Sequence, residues 1–282
     1  KPRLLSRSFM IRTTYDRESE CMDWSKRDFI RCLGVCFLAF GLAVSASDLE
    51  KERRWAEEVV DQLFDGEPVW LLTDSVRFLS LHVVPESGHG GGLLILHGRG
   101  VHPDWPQVVN PLRVALAEAG WHTLSLQLPV LANGVPGTDY KALLPEVRPR
   151  IEAGLRFLER TTSGPWFVVA HSMGSTMAVH ALTQMPPLPV TGLALIGLGS
   201  GQGGDGLDPD GTVFSGLSVP VLDLFGEQDL EGVIRGAGAR AKFDHRFDYT
   251  QVKLDGADHF FDGHETELIA VVSGWLNQKL AQ

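Results

Sequence analysis

The stretch Trp166-Phe167-Val168-Val169-Ala170-His171-Ser172-Met173-Gly174-Ser175 is a short apolar run that reaches a serine held between two small residues. A buried strand that turns abruptly into a helix at a serine strains that residue's backbone and lifts its hydroxyl clear of the sheet. Only small residues at positions 170 and 174 let strand and helix approach so closely. Ala170 stands where glycine is commoner, and a single methyl is tolerated there. Taken alone, the pattern also fits an ordinary N-capping serine. Two other turns raise it above that reading: Gly226-Glu227-Gln228-Asp229 follows the apolar run 219–225, and Asp255-Gly256-Ala257-Asp258-His259-Phe260-Phe261 follows 246–254. A serine hydroxyl is a weak nucleophile at neutral pH and needs a base to take its proton as it attacks a carbonyl. Histidine, with an ordinary pKa of about 6.5, suits that task. A carboxylate behind it holds the imidazole in the right tautomer and stabilises its charged form. Ser172, Asp229 and His259 are thus the candidate nucleophile, orienting acid and base.

Each has competitors. Asp223 and Asp205 are the other acids, His264 and His245 the other bases, and Ser175 and Ser200 the other hydroxyls. His259 alone among the three histidines lies directly after the last strand-like run. The chemistry also needs donors for a developing oxyanion. The turn His97-Gly98-Arg99-Gly100 can aim the Arg99 N–H at a carbonyl oxygen, and the Met173 N–H follows the serine directly. His97, Gly98, His102, Trp105 and Phe260 are the substrate-pocket candidates, with His102 better read as structural, Trp105 as a wall and Asp104 as a helix cap. Asp258, His259, Asp262 and His264 match no common metal-site spacing, so the reading includes no metal and no cofactor. The spaced aspartates in the glycine-rich stretch 199–211 read as a surface loop rather than a calcium site, because a closing glutamate is missing.

These residues require a scaffold that brings strand ends together. Strand-like runs fall near 69–72, 76–84, 93–97, 122–128, 166–171, 191–197, 219–225 and 246–254. Helical periodicity falls near 106–119, 145–160, 173–184, 230–241 and 264–280, and Asp48 to Phe64 forms an amphipathic helix that packs on the domain. The runs at 93–96, 167–169 and 219–225 lack alternation, as strands buried on both faces do. The pattern predicts an α/β fold, a mostly parallel, doubly wound sheet of about eight strands with an antiparallel start. Neither irregular segment, 129–144 or 198–218, is long enough for a separate lid domain. In such a sheet the residues just after the strands meet at one edge, and all the candidates fall there.

The chain has 282 residues, 44% of them hydrophobic, enough for a full-sized core. Lys26, Arg27 and Arg31 precede the uncharged run Cys32-Leu33-Gly34-Val35-Cys36-Phe37-Leu38-Ala39-Phe40-Gly41-Leu42-Ala43-Val44, which is followed by Ser45-Ala46-Ser47. A basic head, a short apolar run and a Val-x-Ala exit read as a secretory signal peptide. The run is shorter than the roughly 20 residues of a transmembrane helix, although an uncleaved inner-membrane anchor is the alternative. The expected organisation is 1–21 as an upstream extension, 22–46 as a signal peptide starting at Met22, and 47–282 as the working domain. It would reside in the periplasm or cell envelope, with no stable transmembrane span. All three cysteines, Cys21, Cys32 and Cys36, would leave with the leader. The formal charge is −10, and losing the first 46 residues, with 8 basic and 5 acidic side chains, makes it −13. Such a surface repels nucleic acid and anionic membrane.

From His97 to His259 the chain resembles the α/β-hydrolases, whose nucleophile, acid and base occur in this order. More narrowly, His97-Gly98-Arg99-Gly100-Val101-His102-Pro103-Asp104-Trp105-Pro106, with Pro111-Leu112-Arg113 and Gly120-Trp121-His122-Thr123-Leu124-Ser125-Leu126-Gln127-Leu128-Pro129, resembles a bacterial domain-of-unknown-function family of exported or envelope-associated predicted hydrolases. The resemblance implies fold and location and names no substrate. The expectation is an exported serine hydrolase acting on a small ester or related acyl substrate through an acyl-serine. The alternative from another class is a catalytically silent relative that binds an envelope ligand or partner in the same cleft.

Overall fold

The computed structural model describes residues 46–88, 90–199, 214–242 and 247–281. Eight strands form one sheet: β1 (Glu67–Leu72), β2 (Arg77–Val83), β3 (Gly92–Leu96), β4 (His122–Leu126), β5 (Trp166–His171), β6 (Gly192–Ile196), β7 (Val221–Gln228) and β8 (Tyr249–Asp258). Their order is β1-β2-β4-β3-β5-β6-β7-β8, with β1, β2 and β4 joined antiparallel and all later pairs parallel. Among the described residues six α-helices accompany them: α1 (Leu49–Gln62), α2 (Val109–Glu118), α3 (Leu144–Thr161), α4 (Met173–Leu182), α5 (Glu231–Arg240) and α6 (Glu265–Leu280). This is the α/β-hydrolase architecture. Among the described residues no helix is long and apolar enough to cross a membrane.

The central strands lack sequence alternation because both faces are covered. Leu94, Leu96, Val168 and Ala170 share one core with Val147, Ile151 and Met177 of α3 and α4. Their neighbours Leu93, Ile95, Phe167 and Val169 share the other with Leu112, Leu116, Leu268 and Val272 of α2 and α6. The chain leaves β3 toward β4 on one side and returns to β5 on the other, so the sheet's switch point, where ligands bind in such folds, lies between β3 and β5. Leu96 pairs with Ala170, which sets the turns after these strands side by side.

The structure differs from expectation at three places. β7 and β8 run on into the two polar turns, with a register irregularity between Gly226 and Gln228. Gly226 permits this, because a Cβ there would lie 2.3 Å from the Ala257 carbonyl oxygen. Segment 129–144 contains a 3-10 helix, Gly137–Leu143. Asp104 does not cap α2, since its Oδ1 accepts 2.5 Å from Arg113 Nη2 and 2.8 Å from Asn110 Nδ2. A fully buried guanidinium needs an anion more than a helix end needs a cap.

α1 packs Ala56 and Val59 on Leu79 and Leu81 of β2, and a buried ion pair ties it to α3. Arg150 donates to both oxygens of Glu52, at 2.8 and 3.1 Å, and to the Gln127 carbonyl at 2.9 Å. The segments around the β3 turn are thereby fixed to one another.

Candidate active site

Ser172 sits between β5 and α4 with φ 54° and ψ −121°, a conformation L-residues avoid. It is held there by the bond from its N–H to the Ile196 carbonyl (2.8 Å), while its own carbonyl accepts from the Ser175 N–H (2.9 Å). Gly174 makes the bend possible. A Cβ at that position would lie 2.4 Å from the His97 carbonyl oxygen, closer than real atoms approach. Ala170, by contrast, is absorbed in the apolar core.

His259 follows β8 directly. Its Nε2 is 2.9 Å from Ser172 Oγ and its Nδ1 is 2.6 Å from Asp229 Oδ1. Asp229 can only accept, so Nδ1 carries the proton and Nε2 is left to accept from the serine hydroxyl. Asp229 is held in turn by the Leu230 N–H on Oδ1 (2.7 Å) and the Gly226 N–H on Oδ2 (3.3 Å). Gly197, at the end of β6 with φ +60°, leaves room for the ring; a Cβ there would lie 3.0 Å from His259 Cε1. The structure thus joins Ser172, His259 and Asp229, distant in sequence, in one hydrogen-bonded path.

The competing residues are otherwise occupied. Asp223 is buried within β7, bound to Arg240, Tyr249 and Gln251. Ser175 Oγ donates to the carbonyls of Ala170 (2.7 Å) and Ile196 (3.1 Å). His264 stands at the N-cap position of α6. Asp258 Oδ1 accepts from the N–H groups of Phe260 (2.9 Å) and Asp262 (3.3 Å), closing the turn that carries His259. Asp205, Ser200, His245 and most of the 199–211 loop lie outside the described residues. Among the described residues no group of three or more His, Cys, Asp or Glu has the geometry to hold a metal ion.

A cavity of about 510 Å³ opens over Ser172 and His259. The pocket candidates Gly98, Trp105 and Phe260 line it, and so do Arg99 and Met173, the candidate oxyanion donors. Val101, Gly197, Leu230 and Val233 join them without a sequence signal to announce them. Among the described residues neither the Arg99 nor the Met173 N–H has an acceptor, and both residues line the cavity. Two expected pocket residues lie elsewhere. His97 is fully buried under the turn it begins: Nδ1–H donates to the Gly98 carbonyl (2.8 Å), and Nε2 accepts from the Leu128 N–H (2.9 Å) and lies 3.1 Å from Gln127 Nε2. Burial pushes its pKa down to about 3, keeping it a neutral staple between the β3 turn and the chain after β4. His102 packs edge-on between Trp55 and Trp105, with ring centroids 5.6 and 5.3 Å away.

His171 is a residue the sequence reading passed over. Its Nε2–H donates to the His259 carbonyl at 2.9 Å, tying the serine's strand to the base's turn. Burial, reinforced by nearby His259, lowers its pKa to about 4, so it too stays neutral. A histidine before the serine was the available signal, but nothing in sequence says which carbonyl it meets.

A family model described as a protein of unknown function (DUF3530) matches residues 43–148, a stretch that includes the β3 turn and ends before Ser172. No curated protein matches the chain in sequence. Solved structures do match in fold. Est1E from Butyrivibrio proteoclasticus has 15% identity and a TM-score of 0.60, covering 76% of this chain and 99% of its own. A dienelactone hydrolase from Anabaena variabilis has 18% identity and a TM-score of 0.62, covering 75% and 96%. An alpha-beta serine hydrolase homologue from Coxiella burnetii has 19% identity and a TM-score of 0.57, covering 76% and 99%. At these identities the likeness establishes the α/β-hydrolase fold.

Proposed function

We propose that the protein is an exported serine hydrolase that cleaves a carboxylic ester or related acyl bond through an acyl-Ser172 intermediate. The observation that carries this reading is the unbroken path from Asp229 through His259 to a strained Ser172 at the floor of an open cavity. Ser172 Oγ attacks the carbonyl carbon as its proton passes to His259 Nε2. The developing oxyanion is met by the N–H groups of Arg99 and Met173, and Asp229 stabilises the imidazolium. His259 then returns the proton to the departing alkoxide, leaving the acyl group on Ser172. Water repeats the sequence with His259 as base and releases the acid. The apolar wall of Val101, Trp105, Leu230, Val233 and Phe260 suits an ester of modest size, and the volume is that of a small-molecule site.

Export rests on the apolar run 32–44 and gains support from the first described residues. The Ser47 N–H lies 3.2 Å from Glu146 Oε1, and its hydroxyl donates to Oε2 at 2.7 Å. A chain cut after Ala46 would set its new ammonium group on that carboxylate. N-terminal sequencing of the envelope-soluble protein should then begin at or near Ser47, and finding Trp24 or Phe37 in it would refute cleavage.

The nucleophile is tested with a fluorophosphonate probe. Ser172→Ala should abolish labelling and lower ester turnover by at least about a thousandfold while leaving the fold intact. Equal labelling of the variant would reassign the nucleophile. A folded wild type that takes no label would favour a silent protein binding its ligand in the same cleft.

A further inference from the structure

Gly100, in the β3 turn next to Arg99, has φ +69° and no side chain, and two donors face the space it leaves. A Cβ built there would lie 3.4 Å from the Tyr140 hydroxyl and 3.9 Å from Lys51 Nζ. Tyr140 is only 3% exposed. Its oxygen accepts from the Leu131 N–H at 3.3 Å, yet its proton has no acceptor among the described residues. Lys51 is 4% exposed. It is held by the Leu131 carbonyl (3.0 Å), Asn133 Oδ1 (2.8 Å) and the Trp55 ring (4.4 Å to the centroid), with no carboxylate among the described residues in ion-pair contact. Burial raises the Tyr140 pKa, while the Leu131 N–H and the Arg99 guanidinium act against it, so the guanidinium stands close enough to be felt at the hydroxyl. Arg99 is exposed and among the described residues has neither an ion pair nor a side-chain hydrogen bond. A buried ammonium and an unused hydroxyl therefore face one open position at Gly100, with the Arg99 guanidinium near enough to act on the hydroxyl, in a chain of formal charge −10.

Burying an ammonium is costly, and burial lowers the Lys51 pKa with the Asp48 carboxylate offsetting only part of the effect; three different segments surround the group: α1, the β3 turn and the chain after β4. An anion in the Gly100 space would balance that cost with charge-assisted hydrogen bonds. We propose that Arg99, Lys51 and Tyr140 form an anion site that holds a carboxylate or phosphate group of the substrate beside the scissile carbonyl. The location favours the substrate as its source, because Arg99 lies next to Gly100 and itself lines the cavity over Ser172. This inference rests on the hydrolase reading for its kinetic consequence and not for its binding consequence.

The test compares matched esters on the full chain: mono-4-nitrophenyl adipate against 4-nitrophenyl hexanoate, and 4-acetoxybenzoate against its methyl ester, placing the charge on the acyl or the alcohol side. One charged ester should be preferred by at least about tenfold in kcat/KM, through KM, with the preference shrinking as salt rises. Arg99→Gln and Tyr140→Phe should each erode the preference several-fold, as a ratio taken within each variant. The Phe substitution keeps the buried ring and guards against misfolding. In parallel, calorimetric titration of Ser172→Ala with adipate and with inorganic phosphate reads binding without turnover. Binding that Arg99→Gln weakens, in a protein that cleaves none of the esters, would leave the anion site standing and remove the hydrolase reading. Phosphate binding with no preference for either charged ester would overturn the substrate assignment in favour of a free anion. Absence of both binding and preference, or a preference untouched by both variants, would overturn the site itself.

Discussion

Two aspartates six positions apart on β7 and its exit meet opposite fates. Asp223 is in mid-strand and wholly buried, and it receives Arg240 Nε (2.8 Å) and Nη2 (3.0 Å), the Tyr249 hydroxyl (2.6 Å) and Gln251 Nε2 (2.9 Å). Asp229 lies past the strand end and receives two backbone N–H groups and the imidazole of His259. A guanidinium keeps its charge at every working pH, so the Asp223 cluster has no second state and serves to join β7, α5 and β8. An imidazole can gain and lose a proton, so the same carboxylate chemistry at Asp229 can accompany a reaction. The difference lies in the partner and in its access to the cavity, since His259 leads on to Ser172 and Arg240 is sealed within the fold.

Exchanging the two carboxylates' losses tests that distinction. Asp229→Asn should lower kcat by about a thousandfold or more, because the amide favours the wrong tautomer, with little change in the urea midpoint. His259→Ala should match or exceed it, and the double variant should be little worse than His259→Ala alone. Asp223→Asn should do the reverse. It removes the carboxylate charge that receives two bonds from the buried Arg240, which costs about 3–5 kcal/mol in stability, while the fraction that remains folded keeps kcat within a few-fold of wild type. Losses at Asp229 and His259 that multiply would show two independent sites and break the comparison.

A second contrast separates His259 from the neutral histidines beneath it. In the unfolded chain a histidine takes up its proton below about pH 6.5, but in the fold His97 and His171 resist until about 3 and about 4. Between these values the unfolded state binds more protons, so stability is complete above about pH 6.5 and falls as pH is lowered toward 4. Each of these histidines contributes at most about 3 kcal/mol to that fall. Denaturant titrations at pH 7.5, 6 and 5 should show it. His97→Gln, which keeps an acceptor for the Leu128 N–H, should flatten the profile even if it lowers the plateau. An unchanged slope would mean that other groups govern the acid limb.

Much of this was readable from sequence, for a physical reason. Doubly buried strands such as 93–96 and 167–169 leave unbroken apolar runs, and a parallel sheet collects the residues after its strands at one edge. Ser172, Asp229 and His259 could therefore be placed without coordinates. What escaped depends on contacts between distant segments. His97 and His102 share a motif with Gly98 and Trp105, yet the bonds to Leu128 and Gln127 draw one beneath the turn and the two tryptophans hold the other aside. Asp104 precedes a helix as caps do, but Arg113, within that helix, claims it. Lys51 and Tyr140 carried no sequence signal at all, because their meeting at Gly100 requires α1, β3 and the chain after β4 to be assembled.

The smallest effect lies in the space left for the imidazole. Asp223 and Arg240 are packed as a fixed pair, whereas His259 is faced by Gly197, whose missing side chain leaves its ring free. Gly197→Ala would place a Cβ 3.0 Å from Cε1 and 3.1 Å from Nδ1, at a φ of +60° that alanine adopts only with strain. The strain costs about 1–2 kcal/mol. The crowding tips the ring away from Ser172 without altering any group that carries a proton. Because attack depends on alignment to within a fraction of an ångström, kcat should fall by about tenfold with KM nearly unchanged. Phosphonate labelling should slow in proportion, since it uses the same nucleophile. The effect should be absent in a His259→Ala background, where there is no ring to displace. A tenfold loss that persists there would place the damage in the Asp229 loop or in the sheet, and the open space before His259 would then have no part in the chemistry.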